Sequence, residues 1–135
     1  MKRVVITGMG INSCIGNTLE EVTHSLQNGI SGTRLNPVYK ELDFKSHVSA
    51  AAVQNFDNID RRAKRFMGVC AMYAYNSALA AVEHAGLKVE DLAGNPRYGI
   101  TGGSGGGSTA SVIEMNELLQ TKGARKVGPF FVPRN

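Results

Sequence analysis

Cys14 and Cys70 are the two thiols of this 135-residue chain, and a thiolate is an intrinsically strong nucleophile. Nucleophilic catalysis also needs a base within hydrogen-bond reach, and the spacing of His24, His47 and His84 places none of them beside either cysteine. The chain has no Cys-x-x-Cys pair and no histidine spacing typical of a ligand set. Neither a disulfide framework nor a metal site is therefore indicated. Cys70 falls among apolar residues and is expected in the core, where free cysteine commonly sits. Cys14 lies in a turn and its role stays open. The three histidines read as surface or capping groups.

Two glycine-rich turns could take a phosphate. In Gly8-Met9-Gly10 the spacing fails the dinucleotide fingerprint. Ser13 stands where a third glycine is needed for close helix packing, and the next helix begins too late, near Asn17. The run Gly102-Gly103-Ser104-Gly105-Gly106-Gly107-Ser108 could cradle phosphate with backbone N–H groups. A P-loop needs Lys-Ser/Thr after its last glycine, and Ser108-Thr109 occupy that place. A nucleotide-binding α/β protein is thus disfavoured. What remains is a loop whose missing Cβ atoms let another chain or a long ligand pass close to the backbone.

Charge is the third signal. Formal net charge is +4, with 15 Lys and Arg against 11 Asp and Glu. Arg61, Arg62, Lys64 and Arg65 form one basic run, and Lys122, Arg125, Lys126 and Arg134 a second. Outside these runs the acidic residues outnumber the basic ones. Such segregation suits an anionic partner, whether phosphate, an acidic protein or nucleic acid, or else two ordinary solvated faces.

The elements that must position these groups follow from periodicity. Arg3-Val4-Val5-Ile6-Thr7 reads as a buried central strand running into the first glycine turn. Thr18 and Glu21 form a capping box for a helix with Leu19, Val22 and Leu26 on one face, ended by Gly29. Residues 30–58 read as a surface excursion, with 46–53 its best extended segment. An alanine-rich helix, buried on more than one side, is expected from Asp60 to the C-capping Gly86, interrupted only by Gly68. After a turn at 94–96, Arg97-Tyr98-Gly99-Ile100-Thr101 reads as a strand leading into the glycine loop. A helix over Thr109 to Gln120 and a basic tail complete the chain. The order predicts an α/β fold with a parallel or mixed sheet covered by helices, both glycine turns lying where such folds bind ligands.

With 42% apolar and 19% charged residues, disorder is excluded for most of the chain. No apolar run approaches the roughly 20 residues of a membrane span, and Val4-Val5-Ile6 is too short for a signal peptide. Together with the cysteine usage, this points to the cytoplasm.

The opening Met1 to Gly10 with Ile15-Gly16-Asn17 resembles the N-terminus of the β-ketoacyl-[acyl carrier protein] synthases. Four further pieces agree in order: Gly29-Ile30-Ser31-Gly32, Asp60-Arg61-Arg62 with Arg65-Phe66-Met67, the loop Gly102 to Ser108, and Val127 to Pro133. Arg65-Phe66-Met67 and the Gly-Ser loop are most similar to the type I enzymes of that family.

The resemblance implies a thiolase-like fold, in which two related halves each place a mixed sheet against a shared layer of buried helices. Residues 1–135 would be an incomplete N-terminal part of that domain. It implies a decarboxylative condensation in fatty acid elongation: a cysteine takes an acyl chain from its carrier, and the carbanion of malonyl-carrier protein attacks the thioester. Donors aimed at the developing oxyanion complete such a site. The family's nucleophilic cysteine lies beyond the position of Pro133, and its two histidines and its lysine lie in the second half. No catalytic residue is assigned in this chain, which alone is expected to be inactive.

By the same resemblance, Arg61, Arg62 and Arg65 meet the acidic carrier protein, and Lys122 and Arg125 are the basic pair that a partner subunit adds to the docking surface. Gly105, Gly106 and Gly107 would line the acyl tunnel near the interface of a homodimer, with Phe130, Phe131 and Val132 leading into it. No cofactor is implied, because substrates ride on the carrier's phosphopantetheine, and no nucleic acid or membrane is involved. A rival reading from another class is a non-catalytic carrier-binding or dimerisation module.

Overall fold

The computed structural model describes residues 3–52 and 55–134. In chain order the elements are α1 (Leu19–Gln27), β1 (Arg34–Leu35), α2 (Pro37–Glu41), β2 (Val48–Ser49), α3 (Arg61–Lys64), α4 (Val69–His84), α5 (Val89–Leu92), α6 (Thr109–Lys122) and α7 (Phe131–Arg134). A 3-10 turn over Ala124–Lys126 separates the last two helices. The chain forms two units, one of residues 1–54 with 76–90, the other of 55–75 with 91–135.

In the first unit, α1 is closed at both ends as its sequence predicts. Thr18 Oγ1 accepts from the Glu21 N–H at 3.1 Å, and Glu21 Oε2 accepts from the Asn17 and Thr18 N–H groups at 2.7 and 3.3 Å. At the far end Gly29 takes a φ of +63°, which lets Ile30 N–H reach the Ser25 carbonyl at 2.8 Å. Leu26, on the face it shares with Leu19 and Val22, is exposed.

The short α2 begins on Asn36-Pro37, with Asn36 Oδ1 capping Val38 N–H at 3.1 Å. It ends on Asp43, whose φ of +54° brings Phe44 N–H to the Tyr39 carbonyl at 2.9 Å. The Tyr39 and Phe44 rings pack 5.1 Å apart, the apolar contact that accompanies such a helix end. β1 and β2 pair antiparallel, Arg34 opposite Ser49 and Leu35 opposite Val48, so part of the expected 46–53 segment is a strand.

Other expectations are corrected. Residues 3–7 belong to no ladder, and Val4 and Ile6 are 94% and 83% exposed. Residues 97–101 form no strand either: Asn95 Oδ1 takes the Arg97 N–H at 3.0 Å and folds the start of that segment into a turn. β-branching favours strands, but a ladder needs a partner strand, and no described residue supplies one. The predicted parallel or mixed sheet is thus represented among the described residues by the β1–β2 pair alone.

The predicted helix from Asp60 to Gly86 is two helices. α3 closes in i to i+3 bonds, Phe66 N–H to Ala63 O at 2.9 Å and Met67 N–H to Lys64 O at 3.3 Å, before Gly68 O starts α4 by accepting from Met72 N–H at 3.1 Å. α4 ends as predicted at Gly86, with Leu87 N–H on Val82 O at 3.1 Å. It is less buried than expected: Asn76 is buried, but Val69 and Tyr75 are exposed. Its small residues still permit close approach within the first unit. A Cβ on Gly8 would strike Ala81 O, and one on Gly10 would strike Ser77 O.

The second unit packs around Ile59, Phe131, Gly68 and Ser111, the last only 1% exposed. Edge-on ring pairs Phe56–Tyr73 at 5.2 Å and Phe66–Phe130 at 5.1 Å tie its segments together.

Candidate carrier docking surface and glycine-loop cavity

Asp60 builds the first basic run. Its Oδ2 accepts from the Arg62 and Ala63 N–H groups at 2.7 and 3.2 Å, nucleating the single turn of α3 that carries Arg61, Arg62 and Lys64. Arg65 caps that turn, and Phe66, packed edge-on against Phe130, anchors it. Arg61, Arg62 and Arg65 are all exposed.

α6 presents the second run. Ser108 Oγ starts this helix by accepting from Ser111 N–H at 3.3 Å, and it pairs with Ser111 Oγ at 2.9 Å. Lys122 closes the helix before Gly123, at a φ of +78°, turns the chain into the 3-10 turn that holds Arg125. Lys122 and Arg125 are exposed as well.

The described residues contain one ion pair, Arg134 Nη2 to Glu114 Oε2 at 3.1 Å, so among them no carboxylate neutralises the five docking candidates. Arg134 is used internally, joining α7 to α6 and lying 5.3 Å above the Phe131 ring. Five solvated cations without an ion-pair partner among the described residues can bind an acidic surface at little desolvation cost.

The glycine loop borders a cavity of about 230 Å³ lined by Gly103, Ser104, Gly106, Ser108, Cys70, Ala71, Ala74, Gly68, Pro133 and Arg134. Ser104 shapes the loop by donating its hydroxyl to Gly106 O at 2.6 Å. Space beside Gly103, Gly105 and Gly106 is open to a side chain, whereas Gly68 is closed by Arg134 O at 2.5 Å and Ser108 Cβ at 3.1 Å. Of the three predicted tunnel glycines, Gly106 lines this cavity; Gly105 and Gly107 are exposed beside it. Phe131 is buried, Phe130 is half-buried and Val132 is exposed.

Cys70 corrects its expectation. It is exposed and sits on the cavity wall, because the helical run is interrupted at Gly68 and the first turn of α4 is left uncovered. No histidine lines that cavity. Cys14 shares a cavity of about 300 Å³ with His24, Glu21 and Arg34, but the His24 ring faces Asn28 Nδ2 at 3.3 Å. The Cys14 sulfur instead packs against Gly32, whose Cβ would lie 2.6 Å from it. Among the described residues neither thiol is paired with a base, as a nucleophile would be. Sequence spacing missed Gly68, the point where α4, Ser108 and α7 meet. Its signal was present as the lone glycine inside an otherwise helical pattern. Among the described residues no three His, Cys, Asp or Glu side chains gather as a metal site, and no helix is long and apolar enough to cross a membrane.

The family model for the β-ketoacyl synthase N-terminal domain matches residues 1–135, and the chain belongs to that family. It is 41% identical to the 3-oxoacyl-[acyl-carrier-protein] synthase 1 of Haemophilus influenzae over 99% of its length, and 40% identical to that of Escherichia coli K12. A β-ketoacyl synthase crystal structure from Burkholderia phymatum STM815 covers 99% of the chain with a TM-score of 0.78 at 27% identity. The backbone therefore follows the thiolase-like α/β course of β-ketoacyl synthases. The chain spans 33% and 34% of the two curated relatives and 34% of the crystallised chain.

Proposed function

We propose that the protein bearing this chain is a condensing enzyme of fatty acid elongation, joining an acyl thioester to malonyl-acyl carrier protein with loss of CO2. The observation that carries the reading is the family match over residues 1–135, at about 40% identity to 3-oxoacyl-[acyl-carrier-protein] synthases 1. This segment's own part is recognition. Arg61, Arg62, Arg65, Lys122 and Arg125 dock the acidic carrier, exposed and in no ion pair among the described residues. Gly105, Gly106 and Gly107 leave room for the acyl chain. The thiol nucleophile and oxyanion donors come from outside these residues.

The apolar exposure of the consecutive residues Val4, Val5 and Ile6 supports a larger assembly, because an uncovered apolar run of this kind marks a surface that another part of a fold or a partner buries. A homodimer working in the cytoplasm fits this reading, as does a reaction without a bound cofactor, the carrier's phosphopantetheine bringing both substrates.

The test is condensation by the full-length protein with acyl- and malonyl-carrier protein, read by mass spectrometry of the carrier. A 3-oxoacyl product two carbons longer, formed undiminished after dialysis against a chelator, is the expected result. Carrier binding without any product would support the non-catalytic module instead.

A further inference from the structure

Met9, between the two glycines packed on α4, donates its backbone N–H to Nδ1 of His84 at 3.0 Å, across 75 positions of sequence. Residues 3–12 take part in no backbone ladder. Besides the steric fit of Gly8 and Gly10 on α4, this bond and that of Asn12 Nδ2 to Ser77 Oγ hold the segment to the helix.

An imidazole accepts at Nδ1 only when neutral, with its proton on Nε2. Once protonated, Nδ1 becomes a donor facing another donor, and the bond cannot persist. The ring stands in the last turn of α4 beside a cavity lined by Met9, Asn17, Thr18, Leu19, Glu20, Ala80 and Glu83. The charged groups that line it are thus Glu83 of α4 and Glu20 of α1, so an imidazolium released from Met9 has carboxylates in the same cavity to turn toward.

We propose that His84 is a pH-sensitive latch that fastens the Gly8–Gly10 segment to the end of α4 while neutral and releases it on protonation. Histidine is the side chain suited to such a role, since it changes charge within the physiological range. The latch lies within one unit and is independent of the proposed condensation.

The test is hydrogen exchange of the Met9 amide in the full-length protein labelled with 15N-methionine, expressed as protection relative to the intrinsic rate at pH 8 and pH 5.5. Met72, bonded to Gly68 O at 3.1 Å, and Met115, inside α6, are internal references. In the native protein, Met9 protection is expected to fall several-fold, up to about tenfold, on acidification, the scale of one hydrogen bond, while the references hold. His84→Ala and His84→Gln should each abolish that pH dependence, the Gln variant keeping a side-chain acceptor at the site. Protection that is the same at both pH values in the native protein, or a pH dependence surviving in both variants, overturns the latch.

Discussion

Valine in place of Gly10 would drive a Cβ into the Ser77 carbonyl oxygen of α4, a backbone atom that cannot swing aside. Gly10→Val is expected to lower stability by about 1–3 kcal/mol or more, the range of overpacked cores. Gly106→Ala meets open space at an unstrained φ and should stay within about 0.5 kcal/mol of the native protein. Urea denaturation of the two variants separates glycines that pack from a glycine that leaves room. Sequence spacing identified Gly8 and Gly10 as a turn and excluded a dinucleotide, but the helix they pack on lies some 70 residues away and is invisible to a local motif. The thiols give the second prediction at this scale. Since neither is paired with a base, Cys14→Ser and Cys70→Ser should retain condensation in the full-length protein, and loss of acyl transfer in either variant would contradict their exclusion from catalysis.

Among the elements, α1 was legible because its signals are local. A capping box and a glycine end need only a few residues of sequence, and both are present as bonds. Thr18→Ala should cost about 1 kcal/mol, seen as a lower thermal midpoint, because it leaves the Glu21 N–H without its cap. The same local logic would have found α2 from Asn36-Pro37, which the search for apolar periodicity passed over. The break between α3 and α4 was not legible from periodicity, which registers apolar spacing and not the collision that any side chain at Gly68 would meet. Strands are harder still. Val4-Val5-Ile6 and Arg97 to Thr101 have strand composition, but composition does not supply a neighbour to bond, and the described residues provide none.

For the whole molecule, the separation of charge was readable from sequence, and the structure shows its physical basis: the five candidate cations are exposed and outside the Arg134–Glu114 pair. The identity of their partner was not readable from charge, because an acidic protein, a phosphate and nucleic acid share the same electrostatics. The proposed function narrows that choice to a carrier protein. A surface that recognises the carrier and not the thioester must affect only substrates presented on the carrier. The most direct measurement is therefore the KM of the full-length protein with carrier-bound substrate and with free pantetheine thioester, before and after Arg61→Glu, Arg62→Glu and Arg65→Glu are combined. The KM for the carrier substrate is expected to rise roughly tenfold or more, in line with charge reversal at an electrostatic docking surface, with the free-thioester reaction left unchanged. An unchanged KM for the carrier substrate, or an equal loss with both substrates, would contradict this docking role.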